Sequence, residues 1–244
     1  MLYKKYLAVL AAVSLIFLIG GCSSDEESPV APTTPPKAPE FVLKAVALPS
    51  GLLQSTDAMA KLAVELIDEV NSFEGTPCVF AAPTGAQAVK EVTGSWEYQW
   101  ITGSLTQNLK IAAAEGRLTW QLFWNGVDQG KSFANWRKMD AVQRTDQSNG
   151  HVYLYLEGSQ QILREWVWYT LENGDYTMVK QNHEEPISKI DITIKTDKSG
   201  KLERFSKSSK GSLVYDLRIT WAADGTGEWW TYTDGVQSNY GKWN

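Results

Sequence analysis

The residues that carry most enzyme chemistry are nearly absent from this chain. Its 244 residues include only two histidines and two cysteines. Two cysteines cannot build a disulfide framework. There is no Cys-x-x-Cys pair, no glycine-rich phosphate loop and no Gly-x-Ser-x-Gly elbow. Dithiol redox chemistry, P-loop nucleotide chemistry and elbow-type hydrolysis therefore lack their sequence marks. A basic cluster is missing too: 23 Lys and Arg stand against 28 Asp and Glu, for a net charge of −5. That balance argues against nucleic acid and anionic lipid head groups as partners.

Long apolar runs are likewise absent, with one exception at the amino terminus. Lys4 and Lys5 precede an apolar stretch from Leu7 to Ile19 that only Ser14 interrupts. It is shorter than the roughly 20 residues that span a bilayer. A basic start, a short apolar core and small residues after it describe a signal peptide. The stretch ends in Ile19-Gly20-Gly21-Cys22, which resembles the lipobox of bacterial lipoproteins. The resemblance implies cleavage after Gly21, a diacylglycerol on the Cys22 sulfur and acylation of the new amino terminus. It also implies a membrane partner through that lipid and a place in the bacterial cell envelope, most readily at the outer membrane. Loss of the leader removes Lys4 and Lys5 and no acid, so the mature chain stands at −7.

Proline is scarce except in one place. Five of the nine prolines fall between Pro29 and Pro39. Proline fixes φ and removes an amide donor, so this stretch reads as an extended spacer. The domain plan is a leader over 1–21, a lipidated Cys22 with an acidic and Pro-rich tether over 22–49, and one folded domain over 50–244. Asp25-Glu26-Glu27 resembles the acidic surface-export signal of some bacterial lipoproteins; it also suits a solvated linker.

One helix is expected. Met59, Leu62, Ala63, Leu66, Ile67, Val70 and Phe73 recur at helical spacing. Ser55, Thr56 or Asp57 supplies the cap, and Gly75 and Pro77 end the helix. From residue 92 the period falls to two. Trp96, Tyr98 and Trp100 alternate with polar residues, as do Leu118, Trp120, Leu122 and Trp124, and Leu213 through Trp221. Asn125-Gly126, Asp197-Lys198-Ser199-Gly200, Asp224-Gly225 and Asp234-Gly235 mark tight turns. The expected fold is mainly β: an antiparallel meander of about ten strands, closed or half-closed into a barrel, with the amphipathic helix packed on it. Residues 128–149 are the least regular, because Phe133, Trp136, Met139 and Val142 suit either a helix or a loose strand pair. The order of elements over 52–244 resembles the half-barrel lipoprotein carriers of the LolA and LolB type, in architecture alone. Gly225 through Gly235 resembles a single MORN-type repeat. The strands show no fixed spacing, so a solenoid ranks below the barrel.

Tryptophan is the compositional outlier, with 11 copies. Trp96, Tyr98, Trp100, Trp120 and Trp124 fall on one sheet face, where they either fill a core or contact a ligand. Trp229 and Trp230 are adjacent and must point to opposite faces, which makes that pair the best single contact candidate. His183 lies with Glu184 and Glu185 in a spacing that fits no known metal pattern, so no metal or cofactor is expected. Cys78 reads as a small buried hydrophobe. Carboxylates such as Glu157, Glu165 and Glu172 read as solvated. The leading expectation is a non-enzymatic envelope protein that holds an apolar or amphipathic small molecule in an aromatic-lined barrel cavity. The alternatives are a surface-displayed module for glycans or proteins, and an enzyme of unassigned class.

Overall fold

The computed structural model describes residues 37–44, 46–73 and 78–244. Two helices come first, α1 (Ser50–Gln54) and α2 (Ala58–Asn71). Thirteen strands follow among the described residues. The first six are β1 (Gln87–Val92), β2 (Ser95–Thr102), β3 (Leu105–Ala114), β4 (Arg117–Asp128), β5 (Lys131–Arg144) and β6 (Asn149–Tyr155). The rest are β7 (Ile162–Thr170), β8 (Tyr176–Asn182), β9 (Ser188–Ile194), β10 (Gly200–Lys207), β11 (Leu213–Trp221), β12 (Gly227–Thr233) and β13 (Val236–Trp243).

The strands form one antiparallel sheet in chain order from β1 to β13. Each strand pairs only with its sequence neighbours, and β1 and β13 do not pair with each other. The sheet is therefore open, and the expected closed or half-closed barrel is wrong. Alternation at period two decides which face is buried. It carries no information on whether the first strand meets the last.

The buried face is covered by helix and coil rather than by a second sheet wall. Asp57 caps α2: its carboxylate accepts from the backbone N–H of Met59 at 2.7 Å and of Ala60 at 3.2 Å. This satisfies donors that a helix start leaves unpaired. Ala60, Ala63, Leu66, Ile67 and Val70 are buried, and α2 packs on β8 and β9. Upstream, Val46 is buried, and Ala38, Phe41, Leu43 and Leu48 pack against the core. Two long-range hydrogen bonds hold this segment to the sheet. The buried Gln143 side chain donates to the Val42 carbonyl at 2.6 Å, and the Tyr176 hydroxyl to the Lys44 carbonyl at 3.3 Å.

Bulges explain the irregular stretch over 128–149. Most of it is β5, which shifts register against β4 at Leu122/Phe123 and again at Trp124/Gly126. A bulge inserts an unpaired residue and resets the alternation. Phe133, Trp136 and Met139 are thus buried three residues apart on a strand, which imitates helical spacing.

One edge of the sheet repeats a single turn. In the β5–β6, β7–β8, β9–β10 and β11–β12 connections, Asp146, Asn173, Asp197 and Asp224 each accept through Oδ1 from the backbone N–H two residues on. The residue between them has positive φ in every case, at Gln147, Gly174, Lys198 and Gly225. These turns are 27, 24 and 27 residues apart. The second half of the sheet therefore has a near-regular two-strand unit that its strand boundaries conceal.

Candidate functional site

The core-facing side of the sheet is packed with aromatic rings where a barrel cavity was expected. Trp96, Trp120 and Trp124 are buried, Trp120 completely. Phe41 meets Trp120 edge to face at 5.2 Å and Trp168 at 6.0 Å, and stacks on Phe80 at 4.0 Å. Phe73 meets Trp166 at 5.0 Å. These phenylalanines come from the coil before α1, the end of α2 and the loop before β1. They fill the space that a barrel would have left open. The indole nitrogens of Trp120, Trp166 and Trp168 are buried without a hydrogen-bond partner among the described residues, and each ring meets a phenylalanine edge to face. The aromatic-lined barrel cavity, and the apolar ligand it was to hold, are overturned by this packing.

The other expected contact residues on this side are placed as follows. Trp124 donates to the Gln107 side chain at 3.1 Å and lies edge to face on Phe133 and Trp136. Trp100 and Trp229 pack against the core, partly buried. Tyr98 forms part of the wall of a surface hollow of about 600 Å³ between residues 37–41, 80–82 and strands β1 to β3. Burial raises the Tyr98 phenol above its ordinary range, and its hydrogen bond to Glu91 at 3.0 Å adds to the effect. The Cys22 lipidation site and the Gly21–Cys22 cleavage point lie outside the described residues. No helix among those residues is long and apolar enough to cross a membrane.

Trp230 lies on the opposite face, and it is not alone there. Cross-strand pairing places Arg218, Trp230 and Tyr240 in one row over β11, β12 and β13. The Trp230 and Tyr240 rings are 5.4 Å apart, and the Arg218 guanidinium lies 5.6 Å from the Trp230 ring. On the same face Phe205 pairs with Tyr215 at 4.5 Å, and Tyr215 approaches Tyr232 at 5.8 Å. Lys189 sits over Phe205, and Lys242 over Tyr240 while paired to Glu228 at 2.6 Å. Five aromatic side chains of β10 to β13 are therefore partly open to solvent. Among natural surfaces such a patch marks a contact site more often than chance.

These rings end two rows that run across the strands. One row follows register from Gln121 through Asp140, Tyr153, Glu165, Gln181 and Lys189 to Phe205 and Tyr215. The adjacent row runs from Val142 through His151, Val167, Val179, Asp191 and Glu203 to Arg218 and Trp230. Both histidines of the chain belong to this face. His183 contacts Glu165 through Nε2 at 3.1 Å and Gln181 through Nδ1 at 3.4 Å. His151 stacks on Tyr153 with centroids 4.2 Å apart and lies 3.9 Å from Asp140.

Electrostatics on this face is balanced pair by pair. Burial pushes the Asp140 carboxyl up, but hydrogen bonds from His151 and Gln121 and the charge of Arg137 outweigh it, so it sits below its ordinary range. Burial raises the Tyr153 phenol, helped by the charges of Glu165 and Asp140. Glu203 is nearly buried between Lys201 at 2.8 Å and Arg218 at 3.6 Å, and Asp191 pairs with Lys189 at 2.8 Å. No group of three His, Cys, Asp or Glu among the described residues is arranged to hold a metal. The sequence offered no sign of the His151, Asp140, Tyr153, Glu165 and His183 cluster, since only register brings these residues together. Neither any protein-family model nor any curated protein matches this chain in sequence.

Proposed function

We propose that this protein is a lipid-tethered cell-envelope module that binds carbohydrate on the outer face of β10 to β13. The observation that carries the reading is the open set of Phe205, Tyr215, Trp230, Tyr232 and Tyr240 on one sheet face. Aromatic faces stack on the C–H side of sugar rings, and amphipathic rings such as Trp and Tyr gain area at little entropic cost. The neighbouring amides and paired charges supply hydrogen bonds for hydroxyls. The lipobox at Cys22 supports the tether, and the Pro-rich segment that follows supports display away from the bilayer.

Affinity gel electrophoresis of the mature protein against a panel of soluble polysaccharides tests the binding. Retardation by at least one polymer is expected, and Trp230→Ala abolishes it without lowering the melting temperature. A folded wild-type protein that no polymer in the panel retards overturns the reading. The tether is tested separately by fractionation. Cys22→Ala is expected to leave uncleaved or mislocalised precursor, and wild-type membrane recovery of that variant rejects lipidation.

A further inference from the structure

Resting on the carbohydrate reading, we infer that the ligand is a long, linear, uncharged polysaccharide that crosses the strands along the two rows instead of following one strand. Five of the stacking rings gather at one end of the rows, at β10 to β13. From there the register-linked side chains continue without a break to β5. Adjacent strands lie about 4.8 Å apart, so the track from β13 to β5 extends on the order of 38 Å. A short oligosaccharide covers the aromatic end alone, and only a long chain reaches Tyr153.

The chemistry of the track names the class of polymer. Gln121, Gln181 and the Tyr153 hydroxyl present donors and acceptors of the kind that sugar hydroxyls satisfy. The charges are already matched: Asp140 by Gln121 and Arg137, Glu165 by His183, Asp191 by Lys189, and Glu203 by Lys201 and Arg218. An anionic polymer would have to displace the carboxylates that pair with Lys189 and Arg218, and a cationic one the side chains that pair with these carboxylates. A neutral polyhydroxyl chain displaces none of them. Tyr153 and His151 stack as a pair at the far end, a second ring surface for a chain that began on Trp230.

The test is calorimetric titration of the mature protein with the polymer that retards it in gels, and with trisaccharide and longer fragments of that polymer. The long chain is expected to bind at least about tenfold more tightly than the trisaccharide. Tyr153→Ala and, separately, Gln181→Ala are expected to weaken the long chain about tenfold and leave the trisaccharide unchanged. Trp230→Ala removes both. Gln181 lies on the open face, so its variant keeps the test valid if Tyr153→Ala unfolds. Equal affinity for trisaccharide and polymer, or no effect of Gln181→Ala on the long chain, overturns the crossing track and leaves the carbohydrate site standing. Tighter binding of a charged polymer than of its neutral counterpart overturns the uncharged class. Loss of all binding by the wild type takes the carbohydrate reading down as well.

Discussion

Trp221 lies flat against Gly200 on the neighbouring strand. A β-carbon on Gly200 would sit 2.6 Å from Trp221 Cζ2, and the indole N–H donates to the Lys198 carbonyl of the adjoining turn at 3.0 Å. The same cross-strand pairing joins Gly150 to Trp168, Gly227 to Trp243 and Gly241 to Trp229. Glycine weakens a strand because it has no side chain to pack; here an indole covers the gap. Gly200→Ala is expected to lose about 2 to 3 kcal/mol by overpacking. Gly158→Ala meets open space at φ +70° and is expected to lose about 1 kcal/mol from the backbone alone. Urea unfolding followed by tryptophan fluorescence compares the two, and an equal loss would show that the indole yields.

The α2 cap gives a second prediction. Asp57→Ala removes the acceptor for the Met59 and Ala60 amides and is expected to lose about 1 kcal/mol. Asp57→Asn keeps the acceptor and stays within about a few tenths of a kcal/mol of the wild type. Thermal unfolding of the two variants measures the difference.

Gln143 and Tyr176 clamp the coil that carries Phe41. Gln143→Ala leaves the Val42 carbonyl unpaired and is expected to cost about 1 to 3 kcal/mol. Tyr176→Phe breaks the longer bond and should cost less, roughly 0.5 to 1 kcal/mol. Amide exchange over residues 41–44 is the direct readout. Faster exchange in both variants is expected, with the larger change in Gln143→Ala.

Lys138 makes stability depend on alkaline pH. Its ammonium lies 3.2 Å from the Trp124 ring centroid, and burial lowers its pKa to about 8, against the pull of Asp128 and Glu157. The unfolded chain holds this proton up to the ordinary value of 10.5. Between pH 8 and 10.5 the unfolded state therefore binds more protons, and stability rises with pH through that window. Below pH 8 the penalty is present in full. The stability difference between Lys138→Met and the wild type is expected to be most favourable to the variant below pH 8 and to shrink toward pH 10.5. A difference that stays constant from pH 7 to 10 would contradict the depressed value.

The candidate site is partly legible in the sequence. That Trp229 and Trp230 face opposite ways follows from the pleat of any strand, and the structure places Trp229 against the core and Trp230 on the open side. The companions of Trp230 were not legible. Phe205 shares its face by alternation with Glu203, and Tyr215 because a bulge between Arg204 and Phe205 resets β11 against β10. Asp140, Tyr153 and Glu165 meet because three strands align in one register, and a single residue of slip would separate them. His183 reaches Glu165 from a connection between strands that local pattern describes only as polar.

The order of elements was written in local chemistry. Helical spacing from Met59 to Val70, the Asp57 cap, alternation along β2, β4 and β11, and Asx and glycine turns each act over a few residues. Sequence alone therefore settled an antiparallel meander with one amphipathic helix before it. Closure, solidity and the open aromatic face were decided only by tertiary structure. An alternating strand buries the same side chains in a barrel wall as in an open sheet, so its pattern is silent on whether β1 meets β13. What fills the core of the open sheet is the packing of Phe41, Phe73, Phe80 and α2 on the buried face, contacts made between residues far apart in the chain.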